Sequence, residues 1–249
     1  MRLSDSLHAI GSSVVNSYIV EDGGAVTIVD AGLPGQWSEL VAELGAMGRS
    51  LDDVKALVLT HGDTDHIGFA GRLHRERGVP ILVHELDAPK ARGEVKKSVP
   101  LGKVRIRPFL GFIAYSGPRG GLRVPPVPEV VPIGSGATLD IPGSPRVIGL
   151  PGHTPGSVGY HFPGVDALFV GDALTTKSVL TGATGPGPAP FTLDPAAALS
   201  SIGTLAEVQA KWVLPGHGPV WDGGVAEAVR LYRAAAGGIA EPDLTRASS

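Results

Sequence analysis

The chain has 249 residues, and its 21 Lys and Arg against 24 Asp and Glu give a formal net charge of −3. Hydrophobic residues make up 43% and charged residues 18%, which excludes a disordered chain and allows a large core. The sequence contains no cysteine, so disulfides, thiolate ligands and a cysteine nucleophile are excluded. It also lacks a membrane-spanning apolar run and a secretory signal. We therefore expect a cytoplasmic globular protein with no membrane partner, and the balanced charge argues against nucleic acid as a partner.

Short β-branched runs that end in turn residues predict strands. These runs are 14–20, 25–29, 56–60, 80–83, 146–150, 158–162, 167–170 and 211–214. Apolar residues at helical spacing predict helices at 37–47, 67–77, 195–209 and 225–236. Because strands alternate with helices in both halves of the chain, the pattern indicates an α/β layered fold. We expect one domain over 1–236, followed by a flexible C-terminal tail at 237–249.

Two segments interrupt this alternation. Residues 88–128 contain nine Lys and Arg but one acid, and they include an apolar run at 109–115. We expect this basic segment to form a cap or arm over an active site, with an apolar wall made by Phe109, Phe112 and Tyr115. A solvated loop or a subunit contact is the alternative. Residues 181–191 are rich in glycine and proline, so they are expected to be a loop that forms a second wall or simply a long connection.

Histidine and aspartate recur just after the predicted strands, next to glycine or proline. They are His61, Asp63, Asp65, His66, His153, Asp172 and His217. Side chains at strand ends are presented by a sheet into a shared crevice, and imidazole and carboxylate are accepted as ligands by zinc, iron and manganese. The close spacing from His61 to His66 would let one turn serve two neighbouring ions. The sequence therefore predicts a metal site.

Each of these residues has an ordinary structural explanation when it is considered alone. Asp65 could cap the following helix, and a histidine after a glycine-rich turn is commonly a surface residue. The joint occurrence at four strand ends favours the metal site. The other histidines have no partner at a suitable spacing and are expected to be structural; they are His8, His74, His84 and His161.

At these residues the sequence resembles the metallo-β-lactamase superfamily of metallohydrolases, over about 14–220 and with the motifs in the expected order. The resemblance implies a four-layered αββα sandwich with a dinuclear site at one edge of the sheets. It also implies hydrolysis by a metal-bound hydroxide. The ligands that it implies are His61 and His153 for the first metal, Asp65, His66 and His217 for the second, and Asp172 as the bridge between them.

The same resemblance gives Asp65 a second role and adds a role for Asp30. Asp65 would also orient the nucleophilic water and accept its proton. Asp30 matches an early aspartate of the family that supports the metal-binding loop, although it could be an ordinary turn residue.

Asp63 departs from the family pattern. The usual motif is His-x-His-x-Asp-His, and Asp63 occupies the position of its second histidine. A carboxylate can still ligate a metal, but it lowers the charge of the site by one. We expect two divalent ions, with zinc as the first choice. Asp63 could shift the preference towards manganese or iron, or leave the first site partly filled.

The residue at the bridge bears on the reaction. Many true β-lactamases have cysteine or serine there, whereas thioesterases of the glyoxalase II type, lactonases and nucleases have aspartate, as this chain does at Asp172. We therefore expect hydrolysis of an ester, lactone or thioester carbonyl in a small-molecule substrate. β-Lactamase activity, phosphodiesterase or nuclease activity, and a non-catalytic effector-binding role remain open, and so does the oligomeric state.

Overall fold

The computed structural model describes residues 1–95 and 104–237. The strands in this part of the chain are β1 (Leu7–Gly11), β2 (Asn16–Asp22), β3 (Ala25–Val29), β4 (Val54–Val58), β5 (Ile81–His84), β6 (Val131–Ile133), β7 (Arg146–Gly149), β8 (Val158–Phe162), β9 (Ala167–Gly171), β10 (Thr175–Lys177), β11 (Thr184–Gly187) and β12 (Trp212–Pro215). The α-helices are α1 (Trp37–Ala46), α2 (Ala70–Arg77), α3 (Ala88–Ala91), α4 (Ile106–Ser116), α5 (Pro195–Ser201) and α6 (Val225–Gly237).

Two sheets form the framework. The first has the strand order β1-β2-β3-β4-β5-β6, antiparallel from β1 to β3 and parallel from β3 to β6. The second has the order β12-β9-β8-β7, in which β12 and β9 are parallel and the other pairs are antiparallel. Strands β7, β9 and β12 therefore end at the same edge of the second sheet, which is where a shared site can be built.

The two sheets pack face to face between outer helices. Val29 of the first sheet lies with Tyr160 and Phe169 of the second in a core between the sheets. Because side chains alternate along a strand, Ile28 points the other way, into a core covered by α1 and α2. The outer face of the second sheet is covered by α6. Burying one such side chain contributes roughly 1.5–3 kcal/mol, so a register slip that exchanged the faces is strongly disfavoured. The predicted αββα sandwich is confirmed.

Helix α2 begins three residues later than predicted. The backbone before it is already hydrogen-bonded to the chain that follows β3: His66 O accepts from Ala31 N at 2.6 Å, and Gly68 N donates to Gly32 O at 2.8 Å. A Cβ at Gly68 would lie 2.4 Å from Gly32 O, so only glycine allows this approach. The segment after β4 is therefore held as a loop, and the helix starts at Ala70.

Other elements differ from the sequence-based expectation. The apolar run at 109–115 is helical and belongs to α4, and the expected loop at 181–191 contains β11, which pairs with β10. The predicted helix at 195–209 is α-helical only to Ser201 and continues as a 3-10 helix. Helix α6 ends at Gly237, so the expected tail lies outside the described residues after that position, as do Lys96, Lys97 and Lys103 of the basic segment. No helix in 1–95 or 104–237 has the length and apolar character needed to cross a bilayer.

Candidate metal centre

The side chains predicted to bind metal come together at one edge of the two sheets. His61, Asp63, Asp65 and His66 lie in the loop that follows β4, whereas His153, Asp172 and His217 follow β7, β9 and β12. Three overlapping groups of ligand atoms each fall within 4.8 Å of one another. The groups are His61 with Asp63 and His153, Asp65 with His66 and His217, and His61 with His66 and Asp172.

The first group is organised by Asp63. Its Oδ2 lies 3.0 Å from His153 Nε2 and 3.5 Å from His61 Nε2. The imidazole rings of His61 and His153 stand almost perpendicular, with centroids 4.9 Å apart. One carboxylate oxygen and two ring nitrogens therefore face a common point.

Asp172 lies between this group and the second one. Its Oδ2 is 3.7 Å from His153 Nε2 and 3.2 Å from His217 Nε2, while its Oδ1 is 3.6 Å from His66 Nε2. Asp65 Oδ2 approaches His217 Nε2 to 3.4 Å. Asp172 is thus positioned to contact a cation in either group.

All four histidines present the same ring nitrogen to the site. Their Nδ1 atoms contact the surrounding protein: Thr60 Oγ1 at 3.0 Å for His61, Asp30 Oδ2 at 2.9 Å for His66, Thr192 Oγ1 at 3.4 Å for His153, and the carbonyl of Val14 for His217. Such contacts fix the orientation of an imidazole and leave Nε2 available to a metal.

Three buried atoms at the centre of the site support its fit to a cation. His61 Nε2, His66 Nε2 and Asp172 Oδ1 have no hydrogen-bond partner among the described residues. Buried polar atoms are nearly always partnered, because an unsatisfied one costs about 1–3 kcal/mol. These three belong to one of the groups described above, and nitrogen and oxygen donors in this arrangement suit zinc, iron or manganese.

Burial and neighbouring charges shift the pKa values in the site in opposite directions. Burial lowers the pKa of the His61 imidazole to about 3, which keeps it neutral and able to ligate. Burial acts in the same direction on His66, but the Asp30 and Asp172 carboxylates raise its pKa to about 10. Burial opposes ionisation of Asp172, yet His217 and His66 hold its pKa well below the usual range. The carboxylates therefore favour a positive charge within the site, and a divalent cation can supply it.

Asp30 lies behind His66. Its carboxylate accepts hydrogen bonds from Thr60 N at 2.7 Å, Thr60 Oγ1 at 2.8 Å and His66 Nδ1. It is buried, and its φ of 59° is in the left-handed region that favours glycine. Asp30 thus joins Thr60, at the start of the loop after β4, to His66 further along that loop.

Asp87 was not identified from the sequence. Its buried Oδ2 accepts hydrogen bonds from Gly62 N at 2.7 Å and Thr154 Oγ1 at 2.9 Å, and its Oδ1 accepts one from Gly156 N at 2.9 Å. Asp87 thereby ties the loop that carries His61 to the loop that carries His153. Its position shortly after β5, three residues after His84, was a usable signal, but neither of these residues stands next to a glycine or proline.

The four histidines expected to be structural lie outside the three groups of ligand atoms formed by the described residues. His8 Nδ1 contacts Glu43 Oε1 at 2.6 Å, and His74 Nδ1 donates to the carbonyl of Val79 at 3.0 Å. His84 Nε2 lies 3.2 Å from Ser135 Oγ. The half-buried His161 is on β8, where burial lowers its pKa.

A cavity of about 720 Å³ opens onto the site. Phe112 and Ile113 of α4 line it, and the Phe112 ring lies 6.5 Å from that of His217. Phe109 and Tyr115, which were expected to share this wall, are not among the lining residues, and the Arg119 guanidinium stacks on the Tyr115 ring at 4.0 Å. Because the apolar run is a helix, Tyr115 lies on a different face from Phe112, whereas Phe109 shares the face of Phe112 but lies one turn nearer the start of the helix, beyond the lining.

Comparison with known proteins agrees with this architecture. The family model described as the metallo-beta-lactamase superfamily matches residues 10–217. The chain is 28% identical to a probable metallo-hydrolase, YflN, from Bacillus subtilis over 85% of this chain and 83% of that protein. A solved structure, TTHA1623 in a di-iron-bound form, is 27% identical with a TM-score of 0.63 and covers 90% of this chain and 97% of that one. A shorter match at 31% identity is to ribonuclease J 1 from Streptococcus pyogenes, over 37% of this chain and 18% of that protein.

Proposed function

This chain belongs to the metallo-β-lactamase superfamily and is a metallohydrolase, and we propose that it hydrolyses the carbonyl of a small ester, lactone or thioester. In this proposal His61, Asp63 and His153 hold a first divalent ion, and a second is held by the group formed by Asp65, His66 and His217. Asp172 would help to hold both ions, since its Oδ2 faces His153 of the first group and His217 of the second.

The ions would lower the pKa of a bound water towards about 7 and polarise the substrate carbonyl. Zinc is the metal that we propose, since the site offers four imidazoles and three carboxylates. The di-iron form of TTHA1623 makes iron the first alternative to test.

The protein's own residues orient the attacking water and accept its proton. Asp65 lines the cavity and is the carboxylate that we assign to hold the attacking water and take up its proton. His217 lies beside it at 3.4 Å, and that imidazole is fixed from behind by the carbonyl of Val14. This arrangement keeps Asp65 next to His217 within the second group of ligands.

The observation that carries the substrate class is the apolar lining of the cavity. Leu33, Ile67, Phe112, Val124 and Val179 contribute to it. Of the described lysines and arginines, one alone lines the cavity, and it is paired with an aspartate of the site. A nucleic acid backbone is bound by several cations, whereas an apolar acyl group is bound by a surface of this kind.

The proposal is tested by measuring kcat/KM for lactones, thioesters, carboxylic esters, β-lactams and phosphodiesters. The protein should be loaded separately with zinc, manganese and iron, and the His61→Ala variant provides the background rate. We expect the highest kcat/KM for a carbonyl substrate with an apolar acyl group. A higher kcat/KM for a phosphodiester would overturn the proposed substrate class and favour the nuclease alternative that the similarity to ribonuclease J 1 suggests.

Replacing Phe112 by alanine should weaken the binding of apolar acyl groups. The expected result is a rise in KM of roughly 10-fold for long-chain esters, since the lost ring contributes about 1.5–3 kcal/mol when fully covered. The rise in KM should be smaller for an acetyl ester, whose acyl group does not reach Phe112. Phe109→Ala is the matched control, because this residue lies on the same helix but outside the cavity lining. Equal effects of the two variants would contradict the assignment of Phe112.

Asp87→Asn should lower metal affinity about 10–100-fold, as is typical when a residue that supports metal ligands is changed. The amide keeps the size of the carboxylate but loses one of the oxygens that accept from the two loops. Metal retention against a graded chelator measures the effect. Asp52→Asn is the control, because Asp52 is exposed and lies just before β4, at the opposite end of that strand from the site. Unchanged retention in Asp87→Asn would show that the two loops hold their ligands without it.

A further inference from the structure

Lys90 reaches the metal centre from α3. Its Nζ forms an ion pair with Oδ1 of Asp63, while Oδ2 of the same carboxylate faces His153 and His61. The two oxygens of Asp63 therefore have separate partners. One faces an ammonium group and the other faces the proposed metal ligands.

Both members of this pair are largely withdrawn from water. The side chain of Lys90 is 15% exposed and that of Asp63 is 17% exposed. At this degree of burial an ion pair is screened less than at the surface, and removing one partner leaves the other charge poorly compensated. The pair is thus expected to affect the charge of the site and not only the surface of the protein.

The fold brings α3 close to the loop after β4. A Cβ at Gly62 would lie 3.0 Å from Ala91 N and from Asp87 O, and 3.2 Å from Lys90 Cβ. These contacts are tighter than side chains ordinarily allow, so a glycine at this position lets the backbone of α3 pack against the loop. The hydrogen bond from Gly62 N to Asp87 holds the two segments in register. The position of Lys90 therefore follows from the packing of its backbone.

We propose that Lys90 is a positioning residue of the metal centre and acts as the counter-ion of Asp63. It holds Oδ1, so that Oδ2 faces the gap between His61 and His153, and it offsets the negative charge that an aspartate adds at this position. The sequence suggested that Asp63 lowers the charge of the site by one; with Lys90 included, the pair is neutral. This inference rests on the proposed assignment of Asp63 as a metal ligand.

The test removes the ammonium group in two backgrounds. Lys90→Met keeps the aliphatic stem and loses the charge, and it is made in the wild-type chain and in Asp63→His. Zinc per chain is measured by elemental analysis after equilibration of the full-length protein with a graded series of chelator concentrations. Arg92→Met is the control, since Arg92 lies two residues away and pairs with the exposed Glu94 at 2.6 Å.

In the wild-type background we expect Lys90→Met to lower zinc affinity about 10–100-fold, the range typical of residues that support metal ligands. In Asp63→His the same change should have an effect of less than about twofold, because a neutral imidazole needs no counter-ion. Lys90→Arg should retain most of the affinity, and Arg92→Met should match the wild type.

The following results would overturn the inference. Equal losses of zinc in the two backgrounds would show that Lys90 acts independently of Asp63. A raised KM with unchanged zinc retention would make Lys90 a substrate contact instead. If the wild-type chain and Lys90→Met both retain two zinc ions, only the inference about Lys90 fails, whereas a wild-type chain that retains no metal at all overturns the proposed metal centre with it.

Discussion

Replacing Asp172 by alanine is expected to lower kcat/KM by roughly 10²–10³-fold, because the divalent ions that Asp172 would help to hold supply the stabilisation of the developing oxyanion, and losing such stabilisation typically costs this much. Asp172 Oδ2 lies between the two groups, at 3.7 Å from His153 Nε2 of the first and 3.2 Å from His217 Nε2 of the second, and its Oδ1 is 3.6 Å from His66 Nε2. Without it, neither group has a carboxylate that reaches the other. The measurement is kcat/KM on the best substrate from the panel described above, together with metal content per chain.

The chain should stay folded when Asp172 is removed. The side chain follows β9 and belongs to no apolar core, and its Oδ1 makes no hydrogen bond to the described residues. Circular dichroism should therefore be unchanged. Asp140→Ala, at an exposed position outside the site, is the matched control. A rate within about tenfold of the wild type, at normal metal content, would remove Asp172 from the reaction centre.

The residues that converge at the proposed metal centre could be predicted from the sequence because their signal is local. Five of the seven follow a predicted strand and stand next to a glycine, and Asp65 and His66 belong to the same turn as His61, so their place at a strand end can be predicted without knowing the fold. The convergence of these ends follows from the strand directions, as β7, β9 and β12 run the same way. The resemblance to the metallo-β-lactamase superfamily supplied the expected role of each residue.

Asp87 and Lys90 could not be identified in this way. The partners of Asp87 are the Thr154 hydroxyl and the backbone N–H groups of Gly62 and Gly156, and the backbone groups carry no signal in the sequence. The partner of Lys90 is Asp63, 27 positions earlier by their numbers, and the pair forms only because α3 packs on the loop after β4. Such tertiary contacts are not encoded in residue spacing.

Helix α4 shows a second limit of reasoning from composition. Its apolar run suggested a wall in which Phe109, Phe112 and Tyr115 would all face the substrate. A run of apolar residues does not by itself reveal whether it is a strand, a loop or a helix, and the helical period decides which members share a face. In the structure the lining residues of α4 are Phe112, Ile113 and Ser116, which are adjacent on one helical face. Tyr115 is excluded by this period, whereas Phe109 lies on the same face one turn earlier and is excluded by its position along the helix.

Stripping the metal is expected to abolish turnover and to lower the unfolding temperature substantially. The carboxylates of Asp63, Asp65 and Asp172 lie together at one edge of the sheets, and a divalent ion reduces their mutual repulsion. Free metal at about 1,000 times its Kd stabilises the folded chain by about 4 kcal/mol per site. For a domain of this size, that corresponds to roughly 8–16 °C in unfolding temperature.

Differential scanning calorimetry of the chelator-treated and zinc-reloaded protein measures this shift, and reloading should restore both the unfolding temperature and activity. The His61→Ala variant should show a smaller shift on reloading, because one of the two groups has lost a ligand that also faces Asp172. An unfolding temperature that is independent of metal would mean that these side chains do not bind ions in the folded chain. In that case the raised pKa values of His66 and His217, about 10 and about 9, would have to be explained as a purely protein-internal balance of imidazolium against carboxylate.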